Sequence, residues 1–76
     1  MSLIFAKVGE EVAVESITGG RAAIKRLQEM GIYPGTKLRV IANSNGPLII
    51  GLGNTRIALG KGIASKIVVK DQILHM

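Results

Sequence analysis

Between Glu11 and Glu15, Val12 and Val14 alternate with Glu11, Ala13 and Glu15. A period of two predicts a half-buried β-strand, punctuated by Gly9 before it and Gly19-Gly20 after it. From Arg21 to Met30 the period lengthens. Ala23, Leu27 and Met30 fall at i, i+4 and i+7 with Ile24 beside them, which makes one apolar stripe along a helix. Arg21, Lys25, Gln28 and Glu29 take its wet face. A helix of about two or three turns is unstable alone, so packing on the sheet must hold it.

The helix is expected to stop at Gly31, because a residue without Cβ can take the left-handed conformation that closes a C-terminus. Tyr33 precedes a proline and is pushed toward extended geometry. Pro34 presets φ for one turn position, and Gly35 supplies the positive φ of the next. A strand then runs from about Thr36 to Ala42, with Leu38 and Val40 inward and Lys37 and Arg39 outward. Asn43-Ser44-Asn45-Gly46 reads as a turn. Pro47 opens the strand Leu48-Ile49-Ile50, where a missing N–H costs least. Gly51, Gly53 and Asn54 mark a second turn, and Arg56-Ile57-Ala58-Leu59 returns as a strand. Lys61-Gly62-Ile63-Ala64 predicts a single helical turn, and Lys66-Ile67-Val68-Val69-Lys70 the closing strand. The reading is one mainly β domain over residues 1–76: a small barrel of about five strands, with one short helix inserted after the first.

Composition narrows what such a barrel does. A chain of 76 residues makes one small domain with a modest core. It has no cysteine, which removes disulfides and fits a reducing compartment. The opening Met1-Ser2-Leu3-Ile4-Phe5-Ala6-Lys7 lacks a basic start and a long apolar core, unlike a signal peptide. No apolar run approaches the ~20 residues that cross a bilayer. A cytoplasmic protein is expected. The net charge of +5 admits anionic partners, but the basic residues are scattered along the chain.

The chain is poor in reactive groups. His75 is the one histidine, next to the last residue, so neither a Ser-His or Cys-His pair nor a transition-metal site is expected from one subunit. Glu10, Glu11 and Glu15 read as solvated strand-end charges. Gly51-Leu52-Gly53 is not followed by Gly-Lys-Ser/Thr, so it reads as a hairpin turn and not a phosphate loop. No catalytic residue, metal ligand or cofactor is assigned. Val8 to Val14 followed by Gly19-Gly20 resembles the opening of the KOW motif of ribosomal and transcription proteins. Phe5 and Tyr33, however, are too few and too far apart for a base-stacking platform, so nucleic acid is not expected.

Leu27, Met30-Gly31-Ile32, Pro34-Gly35, Gly46-Pro47, Arg56-Ile57-Ala58-Leu59-Gly60, Ile63-Ala64 and Ile67-Val68-Val69 occur in the order of the FeoA family (ferrous iron transport protein A), which the chain resembles from Val8 to Val69. The resemblance implies an SH3-like barrel. It also implies a cytoplasmic accessory of ferrous iron transport protein B, a membrane permease with a cytosolic GTP-binding domain. Contact with the membrane would run through that partner only. A nucleic-acid-binding barrel and a metal-responsive regulatory domain are the alternatives, and a homo-oligomer stays open. Beside this, the residues themselves nominate a docking surface: Met30, Ile32, Tyr33 and Pro34 at a rigid turn, with Arg21, Lys25 and Arg26 on the adjoining helix to steer an acidic partner. Met30 and Ile32 have a second reading, as plugs of the barrel's end.

Overall fold

In a computed structural model, residues 1–70 are described. His75 lies outside them. The strands are β1 (Glu11–Ile17), β2 (Lys37–Ala42), β3 (Leu48–Leu52), β4 (Thr55–Leu59) and β5 (Ile67–Lys70). Helix α1 (Arg21–Glu29) joins β1 to β2, and the single turn α2 (Lys61–Ala64) joins β4 to β5. A 3-10 turn, Leu3–Phe5, precedes them all. Each element expected from the hydrophobic pattern is present. The 3-10 turn has no counterpart in the hydrophobic pattern.

The strands form one antiparallel sheet in the order β4-β3-β2-β1-β5. Two irregularities bend it. The β1–β5 register shifts between Val14 and Ser16, and the β2–β3 register between Val40 and Ala42. Each shift inserts an extra residue, Glu15 or Ile41, and such bulges sharpen the local twist. The curled sheet wraps one core, in which Val12, Leu38, Ile50, Leu59 and Val69 are all buried. The alternation of Val12 with Glu11, and of Leu38 and Val40 with Lys37 and Arg39, matches the burial of these strands.

Hydrogen bonding does not close the ring between β4 and β5; α2 spans that junction. The outer side of β5 is instead occupied by the start of the chain. The Met1 amino group donates to the Val69 carbonyl at 3.0 Å, the Val69 N–H donates to the Met1 carbonyl at 2.7 Å, and Ser2 bridges Val68. Leu3 and Ala6 enter the core. The Asn43 side-chain amide donates to the Ile4 and Ala6 carbonyls at 3.0 and 2.8 Å, tying this segment to the end of β2. Among the described residues, one edge of the sheet, β4, has no strand beside it.

Gly51 departs from the expected turn. It lies within β3 opposite Arg56, and the loop is only Gly53-Asn54 between the paired Leu52 and Thr55. Gly53 has φ +61°, the positive value that a two-residue hairpin loop needs at its first position.

Candidate partner-docking surface

Helix α1 carries no side-chain cap at Gly20, and Leu27 is its one fully buried residue. Its end is closed by a double hydrogen bond. The Ile32 N–H reaches the Leu27 carbonyl at 2.9 Å and the Gly31 N–H reaches the Gln28 carbonyl at 2.9 Å, with Gly31 at φ +87°. This is a Schellman ending, whose usual companion is an apolar contact between the residues at the two ends of its longer bond. Here those residues are Leu27 and Ile32, both fully buried in the same core cluster.

Directly after it comes the turn Tyr33-Pro34-Gly35-Thr36. The Thr36 N–H donates to the Tyr33 carbonyl at 3.0 Å, and Gly35 has φ +94°. The Thr36 hydroxyl accepts from the Tyr33 N–H at 3.1 Å. The turn is also fixed to β1: the Gly35 N–H donates to the Val14 carbonyl at 2.7 Å, and the Val14 N–H to the Thr36 carbonyl at 2.8 Å. Backbone bonds on both sides therefore hold Tyr33 and Pro34 out as a knuckle.

The structure divides the expected docking residues. Tyr33 is 48% exposed, and Pro34, Arg21, Lys25 and Arg26 are all exposed. Met30 is half-buried and packs against the core. Ile32 is a correction: it is fully buried, so its side chain is the barrel plug and not part of the surface. The Schellman geometry is the reason, because it turns the residue after the glycine back onto the helix's inner face. On α1, Arg21 and Lys25 stand one turn apart on the side away from Leu27, and Arg26 flanks them. The local sequence signal for Ile32 was available: an apolar residue immediately after a helix-stopping glycine.

The acidic residues are dispersed. Glu10 accepts the Lys7 N–H at 2.7 Å and so caps the loop before β1, while Glu11 and Glu15 point to solvent. Among the described residues there is no group of three or more His, Cys, Asp and Glu side chains placed to hold a metal ion. Also among the described residues, no helix is long and apolar enough to cross a membrane.

Comparison with known proteins gives a consistent outcome. The family model described as "FeoA domain" matches residues 1–71. A protein of Methanocaldococcus jannaschii, carried under the provisional name Fe(2+) transport protein A, is 54% identical over 69 residues, spanning 91% of this chain and 84% of its own. Among solved structures, an iron uptake regulatory protein (FeoA) is 38% identical with a TM-score of 0.83, the match covering 91% of this chain and 92% of that one. The FeoA of Stenotrophomonas maltophilia, solved with zinc and described as a prokaryotic SH3 domain protein, is 30% identical with a TM-score of 0.79, covering 92% and 89%. The SH3-like barrel expected from the sequence is the fold observed, and this chain belongs to the FeoA family.

Proposed function

We propose that the chain is a cytoplasmic accessory of ferrous iron transport that acts by docking on the cytosolic GTP-binding domain of its permease, ferrous iron transport protein B. Family membership supports the link to ferrous iron transport. The observation that carries the docking step is the knuckle. Tyr33 and Pro34 project from a turn whose backbone is already fixed by β1, beside the exposed cations Arg21, Lys25 and Arg26. A contact surface that is ordered before binding loses less entropy on association, and Tyr is a side chain that commonly anchors interfaces. The helix cations would raise the on-rate toward an acidic surface more than they would tighten the final complex.

An adaptor of this kind needs no catalytic group. It alters its partner only as far as it binds one of the partner's conformations better than another. The test uses the full chain and the purified GTP-binding domain of the permease from the same genome, with binding followed by calorimetry. Tyr33→Ala and the pair Lys25→Glu with Arg26→Glu should each weaken association about tenfold or more while leaving the thermal midpoint within a few degrees. Folded variants that bind as tightly as the parent would move the docking face elsewhere.

A further inference from the structure

The register of the sheet places four residues in one row across its outer face: Glu11 on β1, Arg39 on β2, Gly51 on β3 and Arg56 on β4. Directly opposed residues in neighbouring strands hold their Cβ atoms about 5 Å apart. Arg39 and Arg56 therefore stand on either side of Gly51, about 10 Å from each other. Gly51 itself sends no side chain between them, although the end of Ile41 reaches toward the gap. The gap belongs to a concavity of about 430 Å³ whose wall includes Val8, Ile41 and Asn54. Val8 is 60% exposed. Lys37 lies on the same face next to Arg39, and among the described residues Glu11 at the far end of the row is the one opposing charge. Arg56 lies on β4, which among the described residues is an edge strand of the sheet.

Gly51 is the informative residue. Its backbone is ordinary strand with no positive φ, so nothing in the conformation calls for glycine. Glycine inside a strand weakens the strand and commonly marks a place where another group approaches closely. A Cβ there would press on the Ile41 side chain, 3.2 Å from its Cδ1 and 3.8 Å from its Cγ1, with the Arg39 Cβ at 3.8 Å. The missing side chain leaves a shallow floor, edged by Ile41, in a concavity that Arg39 and Arg56 both line.

We propose that this notch is a second binding site, distinct from the knuckle, that takes an acidic peptide segment of a partner protein. A carboxylate seats over Gly51 between Arg39 and Arg56, and an adjacent aliphatic residue packs on Val8 and Ile41. Charge selects the occupant: among the described residues three cations on this face stand against one carboxylate, on a chain of net charge +5. Guanidinium groups suit carboxylates through paired N–H donors. Among the described residues, none lining the concavity is aromatic, which favours a peptide over a single-stranded nucleic acid, since the latter binds by stacking bases.

The probe is a fluorescein-labelled peptide of eight residues alternating glutamate and leucine, read by anisotropy against the full chain, with its glutamine counterpart as control. Saturable binding of the acidic peptide that weakens with added salt is expected, with at least tenfold preference over the glutamine form. Gly51→Val should fill the notch and reduce binding at least tenfold, with circular dichroism showing the variant folded and the smaller Gly51→Ala, which asks less of Ile41, reducing binding in the same direction. Arg56→Gln should reduce binding severalfold with no loss of folding. Lys25→Glu with Arg26→Glu should leave it unchanged. The proposal is overturned by absence of saturable binding up to about 1 mM, by equal binding of the glutamine form, or by Gly51→Val binding like the parent. Tighter binding of a thymidine oligonucleotide than of the peptide would overturn it as well.

Discussion

Truncating Leu27 to alanine tests how α1 is attached. Leu27 is the only fully buried residue of that helix and meets Ile32 in the core beneath the Schellman ending. Leu→Ala at such a site costs about 2–5 kcal/mol, the upper part of the range applying where neighbours cannot collapse into the void. The sheet on one side and the fixed connector on the other restrict that collapse here. Domains typically hold about 0.05–0.15 kcal/mol per residue, which for this length means roughly 4–11 kcal/mol in all. The loss is thus a large share of the total. For a protein this small the urea slope is about 1 kcal/mol per molar, so the midpoint should fall by roughly 2 M or more. Ile24→Ala is the internal control. Ile24 is half-buried and outside the core cluster, so its truncation should cost about 1 kcal/mol or less. Urea curves followed by circular dichroism decide the matter. If Leu27→Ala shifts the midpoint no further than Ile24→Ala, the helix is not anchored as described.

Other outcomes follow from the same structure. Gly31→Ala places a Cβ on a residue at φ +87° and should cost about 1–2 kcal/mol by thermal melts, with no comparable penalty at Gly62, which lacks positive φ. Asn43→Asp should destabilise more than Asn43→Ala, because it turns a double donor into an acceptor facing the Ile4 and Ala6 carbonyls; each lost bond that strands a buried carbonyl costs about 1–3 kcal/mol, and hydrogen exchange should rise first in the N-terminal segment. Ferrous iron titrated anaerobically into the monomer should bind no tighter than about micromolar, roughly −8 kcal/mol, since the chain has no cysteine and one histidine. A tighter site that survives His75→Ala would refute that expectation.

The sequence disclosed those parts of the fold whose causes are local. Strands appear as alternation at Val12 and Val14 or Leu38 and Val40, the helix as a change of period at Ala23, and the connector as glycine and Pro-Gly chemistry at Gly31 to Gly35. The role of Leu3 and Ala6 was hidden, because their segment pairs with residues more than sixty positions away, around Ser65 to Val69. Asn43 reads as one more turn residue until the chain start is laid against it. Gly51 looked like a turn because Gly53 and Asn54 follow so closely. Once the loop is reduced to two residues, the alternation continues through Leu52, and Gly51 falls opposite Arg56. Of the docking surface, Tyr33, Pro34 and the helix cations were legible as exposed groups. Ile32 needed the geometry of the helix ending.

The pairing of Met1 and Ser2 with β5 also orders events during synthesis. β1 is complete at Ile17, but the strand that covers its second side ends at Lys70. At roughly 5–20 residues per second, the ribosome delivers that strand about 3–10 s later. Until then the segment around Leu3 lacks the strand it lies beside, and one side of β1 offers bare backbone groups, the kind of edge that other chains can pair with. A nascent chain stalled before Ile67 would hold β1 to β4 yet expose both. The fold is sealed only once β5 has been made, which makes that strand the point at which crowding by other nascent chains matters most.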